Sequence, residues 1–258
     1  MVTVLDIETS GEMRMGPDNL LANSSEILSV GWLRFNEDKP LDVVDSGILY
    51  FYKPYFVCEE NIDAFAVHHL TRAFLQQYEG DFEKNLKVLS TLITGTTVVG
   101  KNIIAFDMPY IKRFLQKHCE PLSRLGSIAS EKGAKQYAGK TFGAMRQEQV
   151  LDVQDLYQEK FREFYYLKNG ETCNRKGTLT EYVQLTDGAQ EDIDRIYAQI
   201  NKGDGKERMH DCLYDVVCTY VIYLYYCLFK QREEASKPAP ENALTQGADT
   251  MVDASVFG

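Results

Sequence analysis

The 258-residue chain has no cationic excess: 28 Lys and Arg stand against 38 Asp and Glu, a formal charge of −10. A protein that held nucleic acid by bulk electrostatics alone would be basic, because phosphate neutralisation supplies most non-specific affinity. A polyanionic substrate must therefore be held by a local site, by metal ions or by a partner. The six cysteines, Cys58, Cys119, Cys173, Cys212, Cys218 and Cys227, form no CxxC pair and no framework spacing. That excludes a small disulfide-stapled secreted domain and leaves reduced thiols. The opening string MVTVLDIE brings in Asp6 where a signal would be apolar, so no secretion signal is expected. The longest apolar run, Val216 to Phe229, falls short of the roughly 20 residues that span a bilayer. It is expected as a core helix in a cytoplasmic protein that makes no membrane contact. With 44% hydrophobic residues, the chain can bury a core, and global disorder is excluded.

Short β-branched runs predict strands at Val2 to Asp6, Ile27 to Phe35 and Val43 to Tyr52. Helices are predicted over Asp63 to Tyr78 and over Asp81 to Ile93, the latter with Leu86, Leu89 and Ile93 on one stripe and Asp81 as N-cap. A strand, Thr97 to Gly100, precedes a helix from Asp107 to His118, whose Pro109 is tolerable because it lies in the first turn. Val150 to Val153 reads as a buried strand. Leu156 to Phe164, Leu179 to Leu185, Asp192 to Ile200 and Asp211 to Phe229 read as helices. Strands first and helices interleaved later predict one α/β domain, residues 1–230, with a central mixed sheet. Within it, Gly126 to Gln149, rich in Gly, Ala, Ser and Lys, is expected as a surface insertion. Residues 231–258 are expected as a disordered acidic tail.

Asp6 and Glu8 end the first strand in Val-Leu-Asp-Ile-Glu-Thr-Ser-Gly. A period of two puts both carboxylates on one face, and Gly11 lets the chain turn away. Two acids so placed repel each other unless a cation binds them. Asp107 opens a helix, where a carboxylate is locally favourable as an N-cap worth about 1 kcal/mol. Asp215 lies in an otherwise apolar helix, where an unpaired charge is costly and a partner, such as a metal, is required. His210 precedes Asp215 by five positions, about 140° apart on a regular helix. The two can face one centre only if His210 sits on the end of the loop 201–208, just ahead of the helix.

DIETSG, NIIAFD and HDCLYD resemble the three motifs of the DnaQ-like (DEDDh) 3′→5′ exonucleases, whose last motif is His-x-x-x-x-Asp. Ala64 to Thr71 is similar to a segment the family carries between its first two motifs. Val150-Leu151-Asp152 with Leu179 to Leu185 is similar to the approach to the third. The likeness runs from about residue 1 to residue 230, and within the family the chain resembles the epsilon-type proofreading subunits of bacterial replicative polymerases. Departures are Lys101 where His is frequent, His69 where Gly is usual and Cys212 where Ala is usual.

The resemblance implies a ribonuclease-H-like fold, a central mixed β-sheet flanked by helices, and phosphodiester hydrolysis with two metal ions. Asp6, Glu8, Asp107 and Asp215 would be the ligands and His210 the general base, releasing nucleoside 5′-monophosphates. Hard oxygen ligands without clustered Cys and His favour Mg²⁺ or Mn²⁺ over Zn²⁺. By the family's pattern, Thr9 covers the terminal nucleotide, Asn102 and Phe106 line its pocket, and His68 approaches the scissile end. Single-stranded DNA 3′ ends are the expected partner. Met251 to Phe257, apolar side chains in a polar tail, offer a docking segment for a polymerase or another replication protein. Two alternatives share the motifs: a 3′→5′ exoribonuclease that trims RNA ends, and a non-catalytic nucleic-acid or partner-binding module.

Overall fold

The structure is a computed structural model that describes residues 1–11, 25–118, 150–201 and 212–235, the last four of these as backbone only. The expected insertion at 126–149, His210, and the tail from residue 236 lie outside the described residues.

Strand β1 (Val2–Thr9) is the middle of five, in the order β3-β2-β1-β4-β5. It pairs antiparallel with β2 (Ile27–Asn36), which pairs antiparallel with β3 (Lys39–Tyr50). On its other side β1 runs parallel to β4 (Thr97–Gly100), and β4 parallel to β5 (Val150–Asp152). The sheet is thus mixed, as the strand pattern predicts. The parallel strands β1, β4 and β5 all end on the same edge.

Alternation along β1 divides the core. Leu5 and Ile7 face α3 (Phe82–Ile93) and α4 (Asp107–His118), whose Phe82, Leu86, Ile111 and Phe114 build one apolar cluster. Val2 and Val4 face the opposite cluster, filled by α8 (Ala189–Ile200) and α9 (Cys212–Ala235) through Ile193, Val216, Val217 and Tyr220. The apolar stretch Cys212–Gln231 of α9 is 20 residues and hydrophobic enough to span a bilayer, longer than the run expected from sequence. Its contacts with β1 and β2 and the burial of Val216, Val217, Val221 and Ile222 make it a core helix. Its backbone continues to Ala235, past the start of the expected tail.

The single helix expected over Asp63 to Tyr78 is broken into α1 (Ile62–His68), α2 (Arg72–Leu75) and a 3₁₀ turn, Gln76–Asp81. His69 stands in the left-handed region at φ 52°, which ends α1. Thr71 is extended, and its hydroxyl accepts the Phe74 N–H, which starts α2. The local cap overrides the apolar periodicity on which the longer helix rests. Asp81 precedes α3 but makes no side-chain capping bond. Later, α5 (Val153–Leu156) and α6 (Gln158–Asn169) replace the one helix expected at Leu156 to Phe164. Helix α7 (Leu179–Leu185) has the expected bounds and begins in a capping box between Thr178 and Glu181.

Candidate active site

The face of β1 that carries Val2 and Val4 into the core carries Asp6 and Glu8 beyond it. Asp6 lies opposite Gly31 and Glu8 opposite Ser29 on β2. Helix α9 starts against these same two residues. A Cβ on Gly31 would meet the Cys212 carbonyl oxygen at 2.5 Å, and Ser29 Oγ lies 3.4 Å from Cys212 Sγ. This backbone-on-backbone approach brings Asp215, one turn into α9, to the two strand acids. Ligand oxygens of Asp6, Glu8 and Asp215 all lie within 4.8 Å of one another, each residue half-buried.

Asp107 does not join that group of three. It is buried at the first turn of α4, with the backbone N–H groups of Ile7 and of Asp107 itself acting on its carboxylate. It nevertheless lies close enough to Asp6 to raise it. Burial, followed by Asp107, Asp215 and Glu8, holds the Asp6 carboxyl well above the usual carboxylate range, against the charge of Lys101. Burial, with Asp152 adding to it, pushes Asp107 up to about 7, while the two backbone N–H groups and Lys101 pull it down. Acids crowded in a poorly solvated place favour either a proton or a cation.

Thr9 is buried, and its hydroxyl donates to the Gly11 carbonyl at 3.0 Å. The Tyr110 hydroxyl donates to the same oxygen at 2.6 Å, and Asn61 Nδ2 donates to the Ser10 carbonyl at 2.9 Å. Ser10 and Glu26 bond reciprocally, and Glu26 pairs with Lys117 and His118 of α4. Helix α4 therefore presents Asp107 and also fixes the exit of β1. Asn102 has φ 60°, and its N–H donates to Asp152 Oδ1 at 3.0 Å. Phe106 is half-buried with its ring 4.8 Å from that of Tyr110. His68 is buried; its Nδ1 accepts the Leu70 N–H at 2.8 Å, so the neutral ring carries its proton on Nε2, which has no partner among the described residues. Burial, then His69, lowers His68 to about 4.

Sequence reasoning gave no role to Asp152, Asn61 or Tyr110. The signal for Asp152 was present: an acid ending a strand, as Asp6 does, on a strand parallel to β1. Asn61 and Tyr110 act through backbone carbonyls, which leave no trace in residue spacing.

A mixed five-stranded sheet flanked by helices, with acids at the shared end of its parallel strands, is the ribonuclease-H-like fold. The chain matches no protein-family model and no curated protein. Among solved structures it is similar to E. coli exonuclease I in the zinc-bound form of its complex with single-stranded DNA, at TM-score 0.50 and 14% identity over 91% of this chain and 42% of that one. It is likewise similar to E. coli exonuclease I in complex with a 5cy-dT13 oligonucleotide, at TM-score 0.50 and 13% identity over 90% and 41% of the two chains. The chain thus spans less than half the length of these neighbours, and at such identity the likeness establishes the fold.

Proposed function

We propose that this chain is a metal-dependent 3′→5′ exonuclease of the DEDDh kind. It releases nucleoside 5′-monophosphates from single-stranded DNA ends in proofreading or repair. The observation that carries this reading is the convergence of Asp6, Glu8 and Asp215 within 4.8 Å beside the buried Asp107. An all-oxygen donor set of this kind fits Mg²⁺ or Mn²⁺. Two such ions would polarise the scissile phosphate and lower the pKa of the attacking water. Asp6, Glu8 and Asp215 would hold one ion, and Asp107, next to Asp6, would contribute to the second.

The imidazole of His210 takes the proton from the attacking water, a role that suits a group titrating near neutrality. Thr9 covers the terminal nucleotide, and Asn102 and Phe106 line its pocket. The buried Nε2–H of His68, unpartnered among the described residues, supports its role as a donor toward the scissile end, since a donor left unpaired is costly. The tail segment Met251 to Phe257 is the docking element for a polymerase or another replication protein.

The test is incubation of the purified protein with end-labelled single-stranded DNA, duplex DNA and RNA, with Mg²⁺ and with EDTA. Stepwise shortening of single-stranded DNA from its 3′ end, abolished by EDTA, is expected. Shortening of RNA alone would replace this reading with the exoribonuclease one. Binding without hydrolysis would leave a non-catalytic module.

A further inference from the structure

Lys101 is the residue after β4, and its surroundings set it apart from the other basic side chains. The parallel register pairs Val4 with Val99, so two residues further on Lys101 stands level with Asp6, past the end of the sheet. The turn that presents it is fixed. Gly100 packs so closely on Ile103 that a Cβ there would meet the Ile103 side chain at 2.7 Å. Asn102 is held in the left-handed region by Asp152, which accepts its N–H. Lys101 is half-buried, and its charge acts on both Asp6 and Asp107. Yet it takes part in none of the ion pairs among the described residues. The ammonium is therefore beside the acid cluster without being committed to any one carboxylate among the described residues.

The charge balance says what it is for. Two divalent ions would cancel the four carboxylates proposed as their ligands. A phosphodiester then arrives with a negative charge, and hydrolysis adds another at the reacting phosphorus, in a place where water screens poorly. Resting on the exonuclease reading above, we propose that Lys101 is a catalytic residue whose ammonium binds a non-bridging oxygen of the scissile phosphate. Its three donors and flexible stem suit a point contact to an anion. Because Lys101 also repels cations from Asp6 and Asp107, its two effects have opposite signs: it helps the substrate and hinders the metal.

The test compares the full-length protein with its Lys101→Met and Lys101→Arg variants, with Lys101→Gln in reserve should methionine disturb the turn. Three quantities are read: Mn²⁺ affinity by calorimetry, affinity for a 3′-hydroxyl single-stranded oligonucleotide with Ca²⁺ in place of Mg²⁺, and kcat/KM with Mg²⁺. For Lys101→Met, oligonucleotide affinity and kcat/KM should each fall roughly 10- to 100-fold, the size of one hydrogen bond to a charged group. Mn²⁺ should bind a few-fold tighter. Lys101→Arg should restore most of the loss, and a methylphosphonate at the scissile position should cost the methionine variant less than it costs the wild type. Unchanged oligonucleotide affinity and kcat/KM in the methionine variant would overturn the proposal. So would weaker Mn²⁺ binding, which would make Lys101 a brace for the acids. If the wild type hydrolyses nothing, the exonuclease reading falls, while the oligonucleotide and Mn²⁺ measurements still decide whether Lys101 holds a phosphate.

Discussion

Two sets of acids in this molecule behave oppositely. At the surface, Glu181 is bonded by Arg175 and by Thr178 at the start of α7, which lowers it to about 2. Glu60 is lowered to about 2 by the Cys58 backbone N–H first and by Arg72. At the end of β1 the acids face one another with little water, and Asp6 and Asp107 are raised. The surface acids are placed to stabilise the fold. The site acids are placed at its expense, as the cation site proposed above would require.

Deleting a site acid is the strongest way to break this contrast. Asp6→Ala or Asp215→Ala should abolish Mg²⁺-dependent hydrolysis, while the melting temperature measured in EDTA holds or rises because repulsion is relieved. Activity within about tenfold of wild type would show the metal site to be misplaced. His210→Ala should lower kcat by roughly 10²- to 10⁴-fold with metal affinity little changed. It should also remove the rising limb of the pH–rate profile that an imidazole gives near pH 6.5. Rescue by additional Mg²⁺ would instead make His210 part of the metal site.

The pH dependence of stability sharpens the comparison. A raised acid stabilises the fold fully below its unfolded value of 3.8, and that contribution is lost as pH rises, through about 7 for Asp107 and higher than 3.8 for Asp6. His68 runs the other way. Its contribution is present above 6.5 and lost as pH falls toward about 4. Asp107 and His68 therefore offset each other between these limits, and Asp6 sets the sign. In EDTA the melting temperature should fall as pH rises from 5 to 7, and Mg²⁺ should flatten the slope. The depressed Glu181 is ionised throughout that range and contributes nothing to the slope. A melting temperature that rises with pH in EDTA would contradict the raised Asp6.

Smaller effects belong to the surface set and the tail. Glu181→Ala removes half of a capping box and should cost about 1 kcal/mol in chemical denaturation, with kcat unchanged. Ending the chain after Ala235, so that α9 is kept whole, should leave hydrolysis of free oligonucleotides at the wild-type rate. Loss of activity on that truncation would give the tail a catalytic role.

Much of this arrangement was legible in the sequence because it depends on period and caps. The period of two along β1 placed Asp6 and Glu8 together, and the bounds of β4, α4 and α7 follow from apolar runs with turn residues at their ends. Asp215, singled out as an acid inside an apolar helix, stands with the two strand acids. What sequence could not supply was distance between segments. Nothing in the string places Asp152 beside Asp107 or Lys101 beside Asp6, because both depend on which strands are neighbours. Nor does periodicity expose the break at His69, where a single left-handed residue followed by a capping threonine divides an otherwise helical pattern. β3 begins at Lys39, before the apolar run that marked it, because pairing with β2 holds polar residues in a strand on an exposed edge.

The docking of α9 on Gly31 has a consequence for how the protein comes into being. Asp6 and Glu8 are made before Asp215, which follows more than 200 residues later. A nascent chain that has yet to reach Asp215 thus carries the two strand acids of the proposed site without the third. On the reading proposed above, hydrolytic competence would then wait until α9 has been made and has docked on β1 and β2.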